Sequence, residues 1–289
     1  MTPAFFIAAS LCLLTGSSSA ADPLVAPIAC ADCSLWNEAV EPVRLHGESW
    51  YVGVGGLSSV LIASPAGLVL IDGDLPQSAP LIEANIAKLG YRVSDLKLIL
   101  VSHEHFDHVG GVAALQHDSG ARVLAGADAA RALKMGHPTA ADPQYRPGDP
   151  YHFPAVPMAE TVEDDQVVQL GGLAITAHRT PGHTPGGTSW SWQSCVEGKC
   201  VNLVYADSLT AISTNGFRFK SIANSFHASI AKVRGLPCDI LVSTHPSASS
   251  FWQRVESHAL IDPNACRVYA DNAARNLDKR LAEEIATGQ

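Results

Sequence analysis

Apolar residues recur along this chain at two spacings, and the switches between them mark out its elements. From residue 50 to 72 the sequence reads Trp-Tyr-Val-Gly-Val, Ser-Ser-Val-Leu-Ile-Ala, a Ser-Pro-Ala-Gly turn, then Leu-Val-Leu-Ile-Asp. Such β-rich runs separated by turn residues predict an antiparallel meander. Leu81, Ile82, Ile86 and Leu89 then share one helical stripe within residues 77–89, and Gly90 supplies the stop. Residues 98–101 form an unbroken Leu-Ile-Leu-Val run, as expected of a strand covered on both faces. Helices near 111–116 and over 128–135 flank a strand at 122–124. Residues 136–160 are rich in Pro, Gly and Asp and predict a long surface loop, a type of segment usually functional or disordered.

The same order then returns. Strands are predicted at 167–170, 173–177, 188–193 and 201–205, a helix at 226–234 and a strand at 240–243. A final helix over 264–284 aligns Cys266, Ala270, Ala273, Leu277 and Leu281. Meander, helix, strand, helix, repeated, predicts an α/β fold of two similar halves. Each half is a sheet with helices outside, and the sheets pack face to face to give four layers, αβ/βα. A chain of 289 residues with 47% hydrophobic content supports such a core, and no linker divides residues 22–289, so they read as one domain.

Residues 1–21 have the layout of a cleaved signal peptide: an apolar stretch through Leu14, then small residues to Ala21. Export to the periplasm follows. The apolar stretch is too short for a comfortable membrane span. Of seven cysteines, Cys12 lies in this leader, so the mature chain keeps six, an even count that fits an oxidising compartment. Cys195 and Cys200 flank a short polar turn, and Cys238 and Cys266 bracket His245; both pairs read as disulfides. Cys30 and Cys33 form a Cys-x-x-Cys that fits a local staple first, with half a metal clip or a redox pair as alternatives. The net charge of −9, without any Lys/Arg run, argues against a nucleic-acid partner. Trp190 with Trp192 and Phe217 with Phe219 stand at sheet spacing and read as faces or a loop wall. Nothing in the chain suggests an obligate interface, and it reads as a monomer acting on a small molecule.

Chemistry concentrates in residues 102–111, S-H-E-H-F-D-H-V-G-G, directly after the buried strand. Alternation sends His103 and His105 to one side, and Asp107 with His108 can aim at a second centre. Imidazole and carboxylate suit Zn²⁺. One histidine alone would be an ordinary surface residue and Asp107 alone a helix cap. Four ligand-type side chains in six residues, on a strand-turn-helix, point instead to metal. His183 in T-P-G-H-T-P-G-G and His245 in S-T-H-P-S sit in loops that can reach the same strand-end edge, completing two three-ligand sets with open positions for water and substrate. The other seven histidines, among them His137, His152 and His178, lack such a setting and read as structural or surface residues.

These motifs, with Y-A-D-S-L-T at 205–210, resemble the metallo-β-lactamase superfamily, and within it the third subclass of class B β-lactamases. The resemblance runs from about residue 50 through the C-terminal helix. It implies two Zn²⁺ per chain: His103, His105 and His183 on the first, Asp107, His108 and His245 on the second. Asp107 would also orient the attacking water. It implies hydrolysis of the β-lactam amide bond in penicillins, cephalosporins and carbapenems by a zinc-activated hydroxide, conferring antibiotic resistance. The Cys238–Cys266 pairing also resembles that subclass. Asp72 looks like the family's buried aspartate behind the metal loop, although a strand-closing turn residue would look the same. Asp207 stands where glyoxalase II places a metal-bridging aspartate; its neighbours resemble the β-lactamase version, in which Ser208 and Thr210 contact substrate. Gln144 in the long loop is a further candidate contact, with a solvated loop residue as the alternative. The alternative is an exported hydrolase of this fold acting on a lactone or thioester.

Overall fold

Parallel strands need a covered crossover between them, whereas antiparallel strands need only a turn. Both connections organise this chain. The computed structural model describes residues 22–148, 151–214 and 216–287; the expected leader, residues 1–21, lies outside them. Seven strands form the first sheet in chain order: β1 (Val43–His46), β2 (Ser49–Tyr51), β3 (Val60–Ser64), β4 (Gly67–Ile71), β5 (Leu96–Leu100), β6 (Arg122–Gly126) and β7 (Glu160–Val162). The first four are antiparallel, and β4 to β7 run parallel. Helices α1 (Cys33–Trp36), α2 (Ala79–Lys88), α3 (Phe106–Val109), α4 (Val112–Ser119) and α5 (Ala127–Met135) belong to this half.

The second sheet contains β8 (Val167–Leu170), β9 (Leu173–Arg179), β10 (Thr188–Val196), β11 (Lys199–Ala206) and β12 (Ile240–Ser243), in the order β12-β11-β10-β9-β8. Only β11 and β12 are parallel, and α6 (Ala223–Gly235) lies in their crossover. Helices α7 (Phe251–Glu256) and α8 (Ala265–Ala286) close the chain. The expected four-layer α/β sandwich is therefore present.

Period-two alternation sorts the strands' side chains into the layers. Leu68 and Leu70 of β4 pack beneath the helices with Ile82, Leu115 and Leu133. Val69 and Ile71, between and after them, face the second sheet and meet Trp190, Tyr205 and Val242. On the far side, Val204 and Leu241 turn outward to Phe226, Ala270 and Leu277. Trp190 and Trp192 are thus sheet-face residues of the central layer, and the Trp190 indole N–H donates to Val101 O at 3.2 Å.

Two strands carry no sequence signal. β1 and β7 are the edges of the first sheet, and their short mixed sequences, Val-Arg-Leu-His and Glu-Thr-Val, leave only single residues fully buried. The loop expected over 136–160 is not wholly at the surface. Phe153, Val156 and Ala159 are buried in the outer layer of the first half, because their spacing of three lets one side of an irregular segment face the core. All three cysteine pairs are bonded: Cys30–Cys33, Cys195–Cys200 and Cys238–Cys266.

Leu70 is fully buried beneath the helices. Leu70→Ala is expected to cost about 2–5 kcal/mol, from lost transfer energy plus the cavity left behind, read by urea denaturation. A second expectation concerns Glu83 on α2. Partial burial and the neighbouring Asp118 raise its carboxyl from 4.5 to about 7. The fold therefore holds a proton there that the unfolded chain releases, so this contribution is complete below pH 4.5 and lost as pH rises through about 7. Asp118→Asn should flatten that part of the stability profile, measured by denaturation at stepped pH.

Candidate metal centre

The C-terminal ends of β4, β5, β9, β11 and β12 lie at one edge of the sandwich, and the residues that follow them carry both donor sets. Asp72 follows β4 in a left-handed conformation, with φ of 60°. Its Oδ1 accepts from the Ser102 backbone N–H at 2.7 Å, and its Oδ2 from the Ser102 hydroxyl at 2.6 Å. Tyr205 of β11 adds its hydroxyl to the same Oδ2 at 2.8 Å. One buried carboxylate thus fixes the residue before His103 and reaches across to the other sheet. Burial raises Asp72 to about 7, against the lowering effect of these donors.

From Ser102 the chain turns into α3, and two sets of donors form. One atom each of His103, His105 and His183 lies within 4.8 Å of the other two, and the same holds for Asp107, His108 and His245. His183 comes from the β9–β10 loop and His245 from the residues after β12, so each set draws on both halves. In the first set, each ring already uses one nitrogen. His103 Nδ1 meets the Ser102 hydroxyl at 3.2 Å, His105 Nε2 is 2.9 Å from Asp142 Oδ2, and His183 Nδ1 is 2.9 Å from Thr210 O. Asp207 Oδ1 lies 2.9 Å from the same His103 Nδ1, yet both Asp207 oxygens are buried without a hydrogen-bond partner. His103 Nε2 is buried without any hydrogen-bond partner, a costly condition unless a cation accepts its lone pair. In the second set, His245 Nε2 lies 3.3 Å from both His108 Nε2 and Asp107 Oδ2.

Charge in the site matches this use. Burial, with the neighbouring imidazoles, holds His103 well below the usual histidine range, His108 at about 3 and His183 at about 4. Burial works against ionising Asp107 too, but His108 and His245 beside it keep the carboxylate charged. Neutral imidazoles and an ionised carboxylate are the ligand state a divalent cation requires. His105 differs: burial disfavours its charge, yet Asp142 raises it to about 9, so it must release a proton to bind metal.

Two supporting residues escaped the sequence reading. Asp142 sits in the Pro/Gly/Asp-rich loop, where a polar residue carries no signal. Glu104 stands between two ligand-type histidines and points the other way by alternation, a signal that was available. Its buried carboxylate accepts from the Thr184 hydroxyl at 2.9 Å and from Gly186 N at 3.1 Å, tying the H-E-H turn to the loop of His183. A Cβ on Gly186 would come 2.3 Å from Glu104 Oε2, so the paired glycines of P-G-H-T-P-G-G permit a contact no larger residue allows.

Both sets open into a cleft of ≈ 780 Å³. Ser208, Thr210 and Gln144 line it, as do Trp36, Phe106 and Tyr151. The Ser208 hydroxyl is 2.7 Å from that of Thr244, the Thr210 hydroxyl 2.9 Å from His183 Nδ1, and the Gln144 amide nitrogen 3.5 Å from His183 Nε2. Two histidines read from sequence as lacking a ligand setting, His137 and His152, also line the cleft. His178 does not; it bonds Ser191 at 2.8 Å within the second sheet. No helix among the described residues is long and apolar enough to cross a membrane.

The profile of the metallo-beta-lactamase superfamily matches residues 52–196. A hydroxyacylglutathione hydrolase of Rhodopseudomonas palustris (strain BisB5) is 32% identical over 231 residues, covering 79% of this chain and 74% of that one. Among solved structures, MEM-A1, a subclass B3 metallo-beta-lactamase from a soil metagenome library, is 47% identical with a TM-score of 0.83, over 87% of this chain and 99% of that one. BJP-1, a subclass B3 enzyme of Bradyrhizobium japonicum, is 31% identical with a TM-score of 0.82, over 89% of this chain and 100% of that one. By sequence profile, fold and structural likeness together, the chain belongs to the metallo-beta-lactamase superfamily.

Proposed function

We propose that this protein is an exported two-zinc β-lactamase, hydrolysing the amide bond of penicillins, cephalosporins and carbapenems. The observation that carries the reading is the 47% identity to a subclass B3 metallo-beta-lactamase over 99% of that chain, with a TM-score of 0.83.

His₃ and Asp-His₂ sets, each leaving open positions, suit zinc. Zinc bound there supplies Lewis acidity toward the lactam carbonyl and makes water nucleophilic near neutral pH. The chain's own groups do the rest. Asp107 completes the second set and accepts a hydrogen bond from the attacking water. Ser208 and Thr210 present hydroxyls to the substrate carboxylate at the cleft wall, and Gln144 offers an amide on the opposite loop. Ser102, Asp142 and Thr210 each hold one nitrogen of His103, His105 and His183, leaving the other for a metal. Three disulfides fit an oxidising compartment, in keeping with a cleaved leader and a periplasmic location. The second reading, thioester hydrolysis, is favoured by the relatives named hydroxyacylglutathione hydrolase, and the fold alone does not choose between them.

Turnover of a carbapenem and nitrocefin beside a hydroxyacylglutathione thioester separates the two. β-Lactam hydrolysis should disappear with chelator and return with Zn²⁺, with the thioester a poor substrate; a clear preference for the thioester would overturn the proposal. Asp142→Ala should weaken zinc affinity or turnover by about 10–100-fold, because His105 loses the partner that fixes its tautomer. Metal titration of the variant checks this.

A further inference from the structure

One pair of ligand-type side chains in the cleft belongs to neither set. His137 and His152 flank a segment whose described residues, among them Gln144 and Tyr151, line one cleft wall, and their ring centroids are 5.4 Å apart. Ring pairs within the two sets, His103 with His105, His105 with His183 and His108 with His245, are each separated by 4.9 Å. The outer pair is therefore within about half an ångström of the spacing at which this protein already gathers imidazoles. The backbone holds it there: Phe153 N–H donates to Gly136 O at 2.9 Å, closing the neck of the segment beside both histidines. His137 Nδ1 lies 2.8 Å from Pro138 O, which assigns the ring proton to Nδ1 and leaves the Nε2 lone pair for a ligand. His137 is half-buried and His152 exposed, so both are open to solvent cations.

We propose that His137 and His152 form a third cation site, which takes a borderline transition-metal ion such as Zn²⁺ on two imidazoles and completes its coordination with water. The rings are inclined at 37° to one another. A shared cation ties the residues on either side of the Phe153–Gly136 bond together. Tyr151, next to His152, stacks on Phe106 at 4.5 Å and 11°, and Phe106 stands between His105 and Asp107, so this outer site adjoins the main one.

Equilibrium dialysis of the zinc-loaded protein against increasing Zn²⁺, up to roughly 100 μM, should reveal one further equivalent in the native protein. His137→Ala and His152→Ala should each abolish it while keeping the tightly held metal. Chymotryptic nicking after Tyr145 should slow severalfold on zinc addition in the native protein and not in either variant, with circular dichroism checking that both fold. Because the count compares variants with the native protein, it is independent of which substrate the main site hydrolyses. An extra equivalent that persists in the double variant, or no extra equivalent in the native protein, overturns the proposal.

Discussion

The buried carboxylate of Asp72 is the interaction on which the rest of this site depends. It leaves β4 in a conformation that costs a non-glycine residue about 1–2 kcal/mol, and it is removed from water, yet three donors from two sheets reach it. Ser102 is fixed by two of those donors, so the turn that follows starts from a defined point. Tyr205 brings the second sheet to the same point. Without this junction, His103, His105, Asp107 and His108 would hang from one half while His183 and His245 hung from the other, held in relative height by the Glu104 bonds to Thr184 and Gly186 and by Trp190 on Val101.

A second layer of polar contacts refines what Asp72 begins. Glu104 joins the H-E-H turn to the His183 loop, and Ser102, Asp142 and Thr210 each occupy one ring nitrogen of His103, His105 and His183. Carboxylates buried this way are costly unless satisfied. Burial pushes Glu104 to about 7 and Asp207 well above the usual carboxylate range, a cost tolerated where the geometry of ligands must be held against thermal motion.

Much of this was legible in the sequence, for specific reasons. The strands of the central layers declared themselves because both faces are apolar, as in Leu98 to Val101, and the two candidate ligand sets because four donor side chains crowd six residues. Edges were silent: β1 and β7 bury too little to leave a pattern. Asp142 was silent because its partner, His105, is 37 positions away and reached through an irregular loop. The aspartate at 207 could be read two ways from its neighbours, and in the fold it lies beside His103 with neither oxygen hydrogen-bonded. His137 and His152 looked ordinary because nothing local announces that the ends of a loop come together.

The three disulfides have a topology with its own consequence. Cys30–Cys33, Cys195–Cys200 and Cys238–Cys266 each close a segment inside a single half, and none crosses the seam between the sheets. Oxidation can therefore harden each half without joining them. Each ligand set, by contrast, takes two residues from the first half and one from the second. A cation seated there is a cross-brace, and its binding free energy adds directly to the adhesion of the halves. Scarcity of metal would then shorten the lifetime of the folded chain as well as silence it.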